Sequence, residues 1–445
     1  MNVKALLLAV LGASLLALLH LRHYETPRRP LPPPAAAPRL ATGGRGVVAD
    51  PSRRLEPPGS PRPPPPAPED PPPRLSPPLP PEGYSTGGGE GVQPGGKASP
   101  LKKVVVLFKK FFSLTNSSVL ASRGCPEWRC LFTSNASEAE SADAVVFHAK
   151  FSGSRSVPRR RHAHQRYIWV NREAPPNTRS LMRRRNFFNW TYTYHSSSDL
   201  FSPIGVLLPI EAEELPARAP TPGESRTTFL KYKQDLEAGV SLEDDPRKNW
   251  SRFLRRPRLA AWVVSHCRTN SRRETYVREL RKYVPVSVYG RCGWMGCPKT
   301  SRNRVCFVKV LAPNYSFYLS FENSICADYM TEKVWNAMKY GLVPVVYGGA
   351  NYSALLPPNS YIDANNLKPE DLARLLKSIA ASPRDYGRYH LWRLYWKVIQ
   401  AWPHCELCYK LHNDHSFTSY PEVKAWWNAV GNCRRPTMSY LPVSS

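Results

Sequence analysis

Tyr315-Ser-Phe-Tyr-Leu-Ser-Phe321 leads into Glu322-Asn-Ser-Ile-Cys-Ala-Asp-Tyr-Met-Thr331, then Glu332-Lys-Val-Trp-Asn-Ala-Met-Lys-Tyr340 and Gly341-Leu-Val-Pro-Val-Val-Tyr347. The first block is a short aromatic and aliphatic run with the composition of a buried strand. From about Met330 to Tyr340 the apolar residues Val334, Ala337 and Met338 recur at helical spacing, and Gly341 stands where the helix ends. Val343 to Tyr347 is a second strand. A strand, helix and strand in such close succession form a βα unit with a right-handed crossover, so the strands are parallel. Ligands of an open parallel sheet bind beyond the carboxyl ends of its strands, where Glu322 to Lys333 lies.

The same grammar repeats on both sides. Leu259 to Ser265 reads as a strand, Arg272 to Tyr283 as a helix and Val286 to Tyr289 as a strand. Tyr361-Ile362 runs into a helix opened by Pro369-Glu370-Asp371, with Leu372, Leu375, Leu376 and Ile379 inward. Upstream, Val104 to Phe108, Ala144 to Phe147 and Tyr167 to Val170 read as buried parallel strands, and the polar stretch from about Pro220 to Asn249 as a linker. The expected fold class is α/β, with two Rossmann-like domains facing a cleft, one over 101–245 and the other over 246–445.

Before these domains come a tail (1–4), an apolar run from Ala5 to Leu21, and a segment over 22–100 holding about half of the 47 prolines. Ala5–Leu21 has the length of a short membrane-spanning signal-anchor. A cleaved signal peptide is the alternative, although no small-x-small site follows Leu19 directly. Lys4 faces Arg22, Arg28 and Arg29, so local charge does not by itself favour a cytoplasmic N-terminus. The proline-rich segment cannot build a core and reads as an extended stem.

The net charge of +28 favours anionic partners such as nucleotides, phosphates or acidic glycans. Nucleic acid is not the expected partner, because zinc-finger spacing, an RNP-like aromatic strand and a basic helix with heptads are all missing. Ten cysteines, all after residue 124, and six Asn-x-Ser/Thr sequons (Asn116, Asn135, Asn189, Asn249, Asn314, Asn351) point to an oxidising, glycosylating compartment. Cys405-x-x-Cys408 reads as disulfide cysteine rather than half a zinc site or a redox pair. Cys267, Cys292, Cys297, Cys306 and Cys326 imply local staples.

Read from the residues alone, Lys333 in the first turns of its helix can neutralise a phosphate and Glu332 can accept from sugar hydroxyls; a solvated capping pair is the other reading. Glu173 lies just beyond the strand Tyr167 to Val170, at a carboxyl end, where it serves as a base or pairs with Arg172 or Arg179. Arg272 can grip a diphosphate with its fork or stand solvated beside Arg273. Asp-x-Asp, the usual diphosphate–metal motif, does not occur in the chain. Leaving-group charge would then fall to fixed cations and helix-end dipoles, with no required cofactor and no metal ligands, and Mn²⁺ at most stimulatory.

Phe321-Glu-Asn-Ser-Ile-Cys-Ala-Asp-Tyr-Met-Thr-Glu-Lys333, followed by Gly341-Leu-Val-Pro-Val-Val-Tyr-Gly348 and Asn351-Tyr352, resembles the signature of the α-1,3-fucosyltransferase family. The similarity extends over most of 101–445. It implies a GT-B pair of Rossmann-like domains, GDP-fucose as donor, an inverting mechanism, a glycoprotein or glycolipid glycan as acceptor with an α-1,3 link to N-acetylglucosamine, and a single-pass type II Golgi membrane protein with a lumenal catalytic part. By this resemblance Asn323, Tyr329, Glu332 and Lys333 fall on donor-binding positions. So does Arg272, four residues before Tyr276. Glu173-Ala174-Pro175 resembles the family's Glu-Ser-Pro, whose glutamate is the catalytic base, and Phe188-Asn189-Trp190-Thr191 follows at similar spacing.

Tyr194-His195-Ser196-Ser197-Ser198-Asp199 departs from the family's Tyr-Arg-x-Asp-Ser-Asp by losing an arginine and an acid. That departure keeps open a catalytically altered, membrane-tethered glycan- or nucleotide-binding homologue. A heparin-binding stalk protein would account for the charge and the prolines but not for the settings of Glu173 and Glu332-Lys333.

Overall fold

The computed structural model describes residues 101–106, 115–149, 158–178, 185–211, 223, 225–297, 305–400 and 404–436. The expected anchor at 5–21 and stem at 22–100 lie outside the described residues. Among the described residues no helix is long and apolar enough to cross a membrane.

Six strands form the first sheet: β1 (Lys102–Val106), β2 (Cys130–Thr133), β3 (Ala144–His148), β4 (Arg166–Asn171), β5 (Trp190–Thr193) and β6 (Leu200–Phe201), in the order β2-β1-β3-β4-β5-β6. Every pairing in it is parallel. Next in the chain comes β7 (Gly205–Pro209), outside this sheet. The second sheet holds β8 (Arg258–Val263), β9 (Val286–Tyr289), β10 (Tyr315–Phe321), β11 (Val343–Tyr347) and β12 (Ile362–Asp363), in the order β12-β11-β10-β8-β9, again all parallel. Both sheets are doubly wound, and in each the strand order reverses once, between β1 and β3 and between β8 and β10. All seven residues of β10 and all five of β11 are buried, as expected of strands covered by helices on both faces.

The expected linker contains a helix, Arg226–Glu237. Phe229, Tyr232 and Leu236 supply its apolar face, too thin to stand out in a polar composition. Its burial comes from far along the chain: the Tyr232 ring packs 5.1 Å from Trp396 and 5.4 Å from Tyr395, and its hydroxyl donates to the Pro358 carbonyl. Trp396 belongs to β13 (Trp396–Gln400), which pairs antiparallel with β7.

The end of the chain also departs from expectation. Residues 404–431 were assigned to the second domain, but their two helices complete the first core. Helix His404–Asn413 inserts Cys405, Leu407, Cys408 and Leu411 among Val104, Phe132, Ile168 and Trp190. Helix Val423–Gly431 sets Trp427 5.5 Å from Trp169 and 5.2 Å from Tyr194. Disulfides hold this return. Cys405 and Cys408 bond to Cys125 and Cys130 rather than to each other, and Cys326 reaches Cys433. The staples Cys267–Cys292 and Cys297–Cys306 are local, as expected; Cys326 is not.

Candidate active site

At the β8/β10 reversal point the loops leaving the two strands separate and enclose a cavity of about 610 Å³. Arg268, Arg272 and Arg278 line it, with His266, Asn323 and, from the first sheet's side, Asn177. Glu274 is also there, but its carboxylate already accepts from Thr269 N (3.1 Å) and Thr269 Oγ1 (2.9 Å). The cavity is therefore built for an anion.

Sequence places Arg272 and Arg273 side by side; the backbone sends them in opposite directions. Arg272 adopts a left-handed conformation (φ 49°) immediately before helix Arg273–Leu280, an uncommon state for a side-chain-bearing residue and one that concentrates at functional sites. Its exposed side chain faces the cavity. Arg273 is only 3% exposed, with Nη1 donating to the Phe321 carbonyl at 2.6 Å, so it ties the helix to the end of β10. Ser271 adds two stitches between the same loops: its Oγ donates to the Glu322 carbonyl (2.6 Å) and its N–H to the Asn323 carbonyl (3.2 Å). Asn323 lines the cavity, and its side-chain oxygen is buried without a hydrogen bond among the described residues.

Glu322, to which the sequence reading gave no role, is completely buried at the end of β10. It accepts from Thr331 N (2.9 Å), Thr331 Oγ1 (2.8 Å) and Lys333 Nζ (2.8 Å), and Lys333 Nζ also donates to Thr331 Oγ1 at 2.6 Å. Glu332 lies 3.6 Å from Lys333 Nζ and keeps about half its side chain exposed. Burial works against the lysine's charge, but Glu322 and then Glu332 outweigh it and the Lys333 pKa is raised. Neither Lys333 nor Glu332 lines the cavity.

Glu173 sits in a turn fixed by Asn171. The buried Asn171 amide accepts from Glu173 N (3.1 Å) and donates to the Glu173 carbonyl (3.0 Å) and to Thr178 Oγ1 (2.7 Å). Among the described residues the Glu173 carboxylate joins no ion pair; Arg172 donates to Ser202 Oγ (3.3 Å), and Arg179 lies outside those residues. Tyr329 is buried with its ring 4.9 Å from Tyr194. Burial pushes its phenol well up, assisted by Glu322, Glu173, Tyr194 and Glu332. Carboxylates from both sheets thus act on the Tyr329 phenol.

The altered Tyr194 to Asp199 segment has its own structure. Asp199 accepts from Thr191 N (2.7 Å), Thr191 Oγ1 (2.9 Å) and Tyr420 O–H (2.7 Å). Ser196 crosses to the second sheet, donating from N (3.0 Å) and Oγ (2.6 Å) to Asp328, itself left-handed at φ 56°. Burial pushes the His195 imidazole below its ordinary value, more than the Asp328 carboxylate 3.8 Å away raises it.

Of the six sequons, Asn116, Asn135, Asn249 and Asn351 are exposed, and each accepts from its own sequon serine, at 2.8, 2.8, 2.7 and 2.9 Å. Asn189 is not a surface site: fully buried, it accepts from Tyr167 N (2.9 Å) and from Arg161, and donates to the Thr418 carbonyl (2.8 Å). Asn314 is half-buried and donates to the Val310 carbonyl (2.8 Å). Cys130, Cys408 and His412 bring ligand-type atoms within 4.8 Å of one another, but both sulfurs are disulfide-bonded.

Two parallel α/β sheets, a cationic cavity at a strand-order reversal and a Glu173 carboxylate that forms no ion pair among the described residues define an α/β protein with a site suited to an anionic ligand. Residues 100–205 match the fucosyltransferase N-terminal family, and residues 253–426 the C-terminal family of glycosyltransferase family 10 (fucosyltransferase). The chain is 36% identical over 320 residues to α-(1,3)-fucosyltransferase C of Drosophila melanogaster, covering 70% of this chain and 71% of that protein. It is 32% identical over 309 residues to 3-galactosyl-N-acetylglucosaminide 4-α-L-fucosyltransferase FUT3 of Homo sapiens, covering 67% of this chain and 75% of that protein. A crystal structure of an α1,3-fucosyltransferase with GDP-fucose aligns with a TM-score of 0.41 at 17% identity, over 74% of this chain and 96% of its own. The chain belongs to glycosyltransferase family 10, the fucosyltransferases.

Proposed function

We propose that the protein transfers L-fucose from GDP-fucose to a hydroxyl of an acceptor glycan with inversion, forming an α-1,3 link to N-acetylglucosamine of a glycoprotein or glycolipid. The observation that carries the reading is the cavity at the β8/β10 reversal, lined by three arginines and by Asn323, whose buried side-chain oxygen has no partner among the described residues. GDP occupies it, its diphosphate gripped by Arg272 beside the N–H groups of helix Arg273–Leu280. Asn323 accepts from the nucleotide, and Tyr329, Glu332 and Lys333 complete the donor side. The Glu173 carboxylate takes the proton of the acceptor hydroxyl as that oxygen bonds to the anomeric carbon and the bond to the diphosphate oxygen breaks. Fixed cations meet the charge on departing GDP, so no metal is required and Mn²⁺ at most stimulates. Exposed sequons and five disulfides support a lumenal, Golgi, type II placement of the catalytic part on the anchor at 5–21.

The test compares two kinds of variant in the full chain. Glu173→Gln is expected to bind GDP like the parent while turnover falls roughly 10² to 10⁴-fold. Arg272→Ala is expected to weaken GDP binding about tenfold to a hundredfold. Near-parental transfer by Glu173→Gln would place the base elsewhere. Binding of GDP-fucose with no acceptor-dependent release of GDP would favour the altered homologue.

A further inference from the structure

We infer that Asn177 is a positioning residue that couples the donor cavity to the base, setting the turn that carries Glu173 against the wall of the nucleotide site. Asn177 is the residue from the first sheet's side among those lining the cavity, and it follows Glu173 by four positions. Its Nδ2 donates to Ser324 Oγ at 3.0 Å, and Ser324 is fully buried directly after Asn323. The contact is therefore made with the cavity wall, whose next carbonyl back accepts from Ser271 N–H.

The connection from Asn177 to Glu173 is stiff. Pro175 and Pro176 fix two backbone angles in the turn, which Asn177 N–H closes on the Ala174 carbonyl (2.9 Å) and Thr178 N–H on the Pro175 carbonyl (3.1 Å). Gly431 presses on it so closely that a Cβ there would lie 2.4 Å from Pro175 Cγ. Asn171 clamps the other end at Glu173 itself. The turn thus connects Asn177 rigidly to the backbone that carries Glu173. Other crossings hold the sheets in place without it: Ser196 to Asp328, Ala327 N–H to the Gly431 carbonyl (2.8 Å) and the Cys326–Cys433 disulfide. Loss of the Asn177 amide should therefore alter the fit of base to donor rather than the fold. Displacement of a catalytic group by about 1 Å can lower a rate roughly a hundredfold.

The inference rests on the donor and base roles proposed above, and its test separates the two. Asn177→Ala, Ser324→Ala and the double variant are made in the full chain, with GDP affinity by calorimetry, kcat, both KM values and Tm as readouts. The expected result is a kcat about tenfold lower in each single variant and no lower in the double, with GDP affinity within about threefold of the parent. Asn177→Asp keeps a partner for the Ser324 hydroxyl but adds an anion to the cavity, so it should retain most of kcat and lose GDP affinity. Parental kcat in Asn177→Ala, additive losses in the double variant, or a joint fall of Tm, affinity and kcat would each overturn the coupling. Unchanged GDP affinity in Arg272→Ala or unchanged turnover in Glu173→Gln would instead overturn the donor and base roles themselves.

Discussion

Lys333 Nζ lies 2.8 Å from the fully buried carboxylate of Glu322, and the two residues bracket the loop joining β10 to its helix. Breaking a buried pair leaves one charge uncompensated, at about 3 to 5 kcal/mol. Glu322→Gln keeps an acceptor for Thr331, so a loss of roughly 3 kcal/mol is expected, read as a lower Tm. The sign of its pH dependence follows from the raised Lys333 pKa. In the parent, the folded state holds this proton more tightly than the unfolded chain, so the contribution is complete below about pH 10.4 and lost as pH rises through the folded pKa. In the variant, burial and Arg273 act against the charge with less opposition, so the cost of a buried cation is relieved as pH rises. The Tm gap between parent and variant should narrow from pH 7 to 9.5; a constant gap would refute this account.

Asn189 joins Tyr167 N–H to the Thr418 carbonyl inside the first core. Asn189→Gln is expected to cost roughly 2 kcal/mol through lost buried hydrogen bonds while leaving the number of N-glycans unchanged. Asn116, Asn135, Asn249 and Asn351 should behave oppositely, each Asn→Gln removing one glycan with little change in Tm. Intact-mass analysis before and after glycosidase decides the matter, and a glycan on Asn189 would contradict the buried position.

The disulfides Cys125–Cys405 and Cys130–Cys408 join the same two regions across 280 and 278 residues. With one in place the other closes only a short loop, so removing either alone should cost about 2 kcal/mol. Removing both frees the whole crossing, and the loss should exceed the sum of the single losses. Thermal unfolding of the three Cys→Ser variants checks this; simple additivity would count against it.

Tyr232 tests the helix that composition disguised as a linker. Tyr232→Ala removes a fully buried ring from between Tyr395 and Trp396 and should cost about 3 to 5 kcal/mol. Tyr232→Phe loses only the hydrogen bond to the Pro358 carbonyl, roughly 1 kcal/mol. Equal, negligible effects in chemical denaturation would mean the segment does not pack.

The strands were legible wherever a buried run was short and uninterrupted: Val286–Tyr289, Tyr315–Phe321 and Val343–Tyr347 begin and end as read. Helix Pro369–Ala381 buries Leu372, Leu376 and Ile379 as its spacing predicts, with Leu375 partly buried. Arg272 is singled out only by the motif resemblance, since from the residues alone a solvated arginine beside Arg273 is the other reading; the structure puts it in the cavity lining. Glu322 and Asn177 could not be assigned roles. Their significance lies in what they touch, Lys333 in one case and Ser324 in the other, and contact across a loop or between sheets leaves no periodicity in the chain.

The sequence by itself determined the parallel α/β layering, which follows from local patterns of burial, and the family, which follows from the resemblance of the motifs between Phe321 and Tyr352. Tertiary structure alone decided that helices 404–413 and 423–431 close the first core, that Arg272 faces the cavity while Arg273 is buried, and that Asn189 is a core residue. Each of these depends on which distant surface completes a residue's burial. Helix and strand periods repeat within a few residues, whereas the partner that buries Tyr232 lies some 160 positions away in the chain.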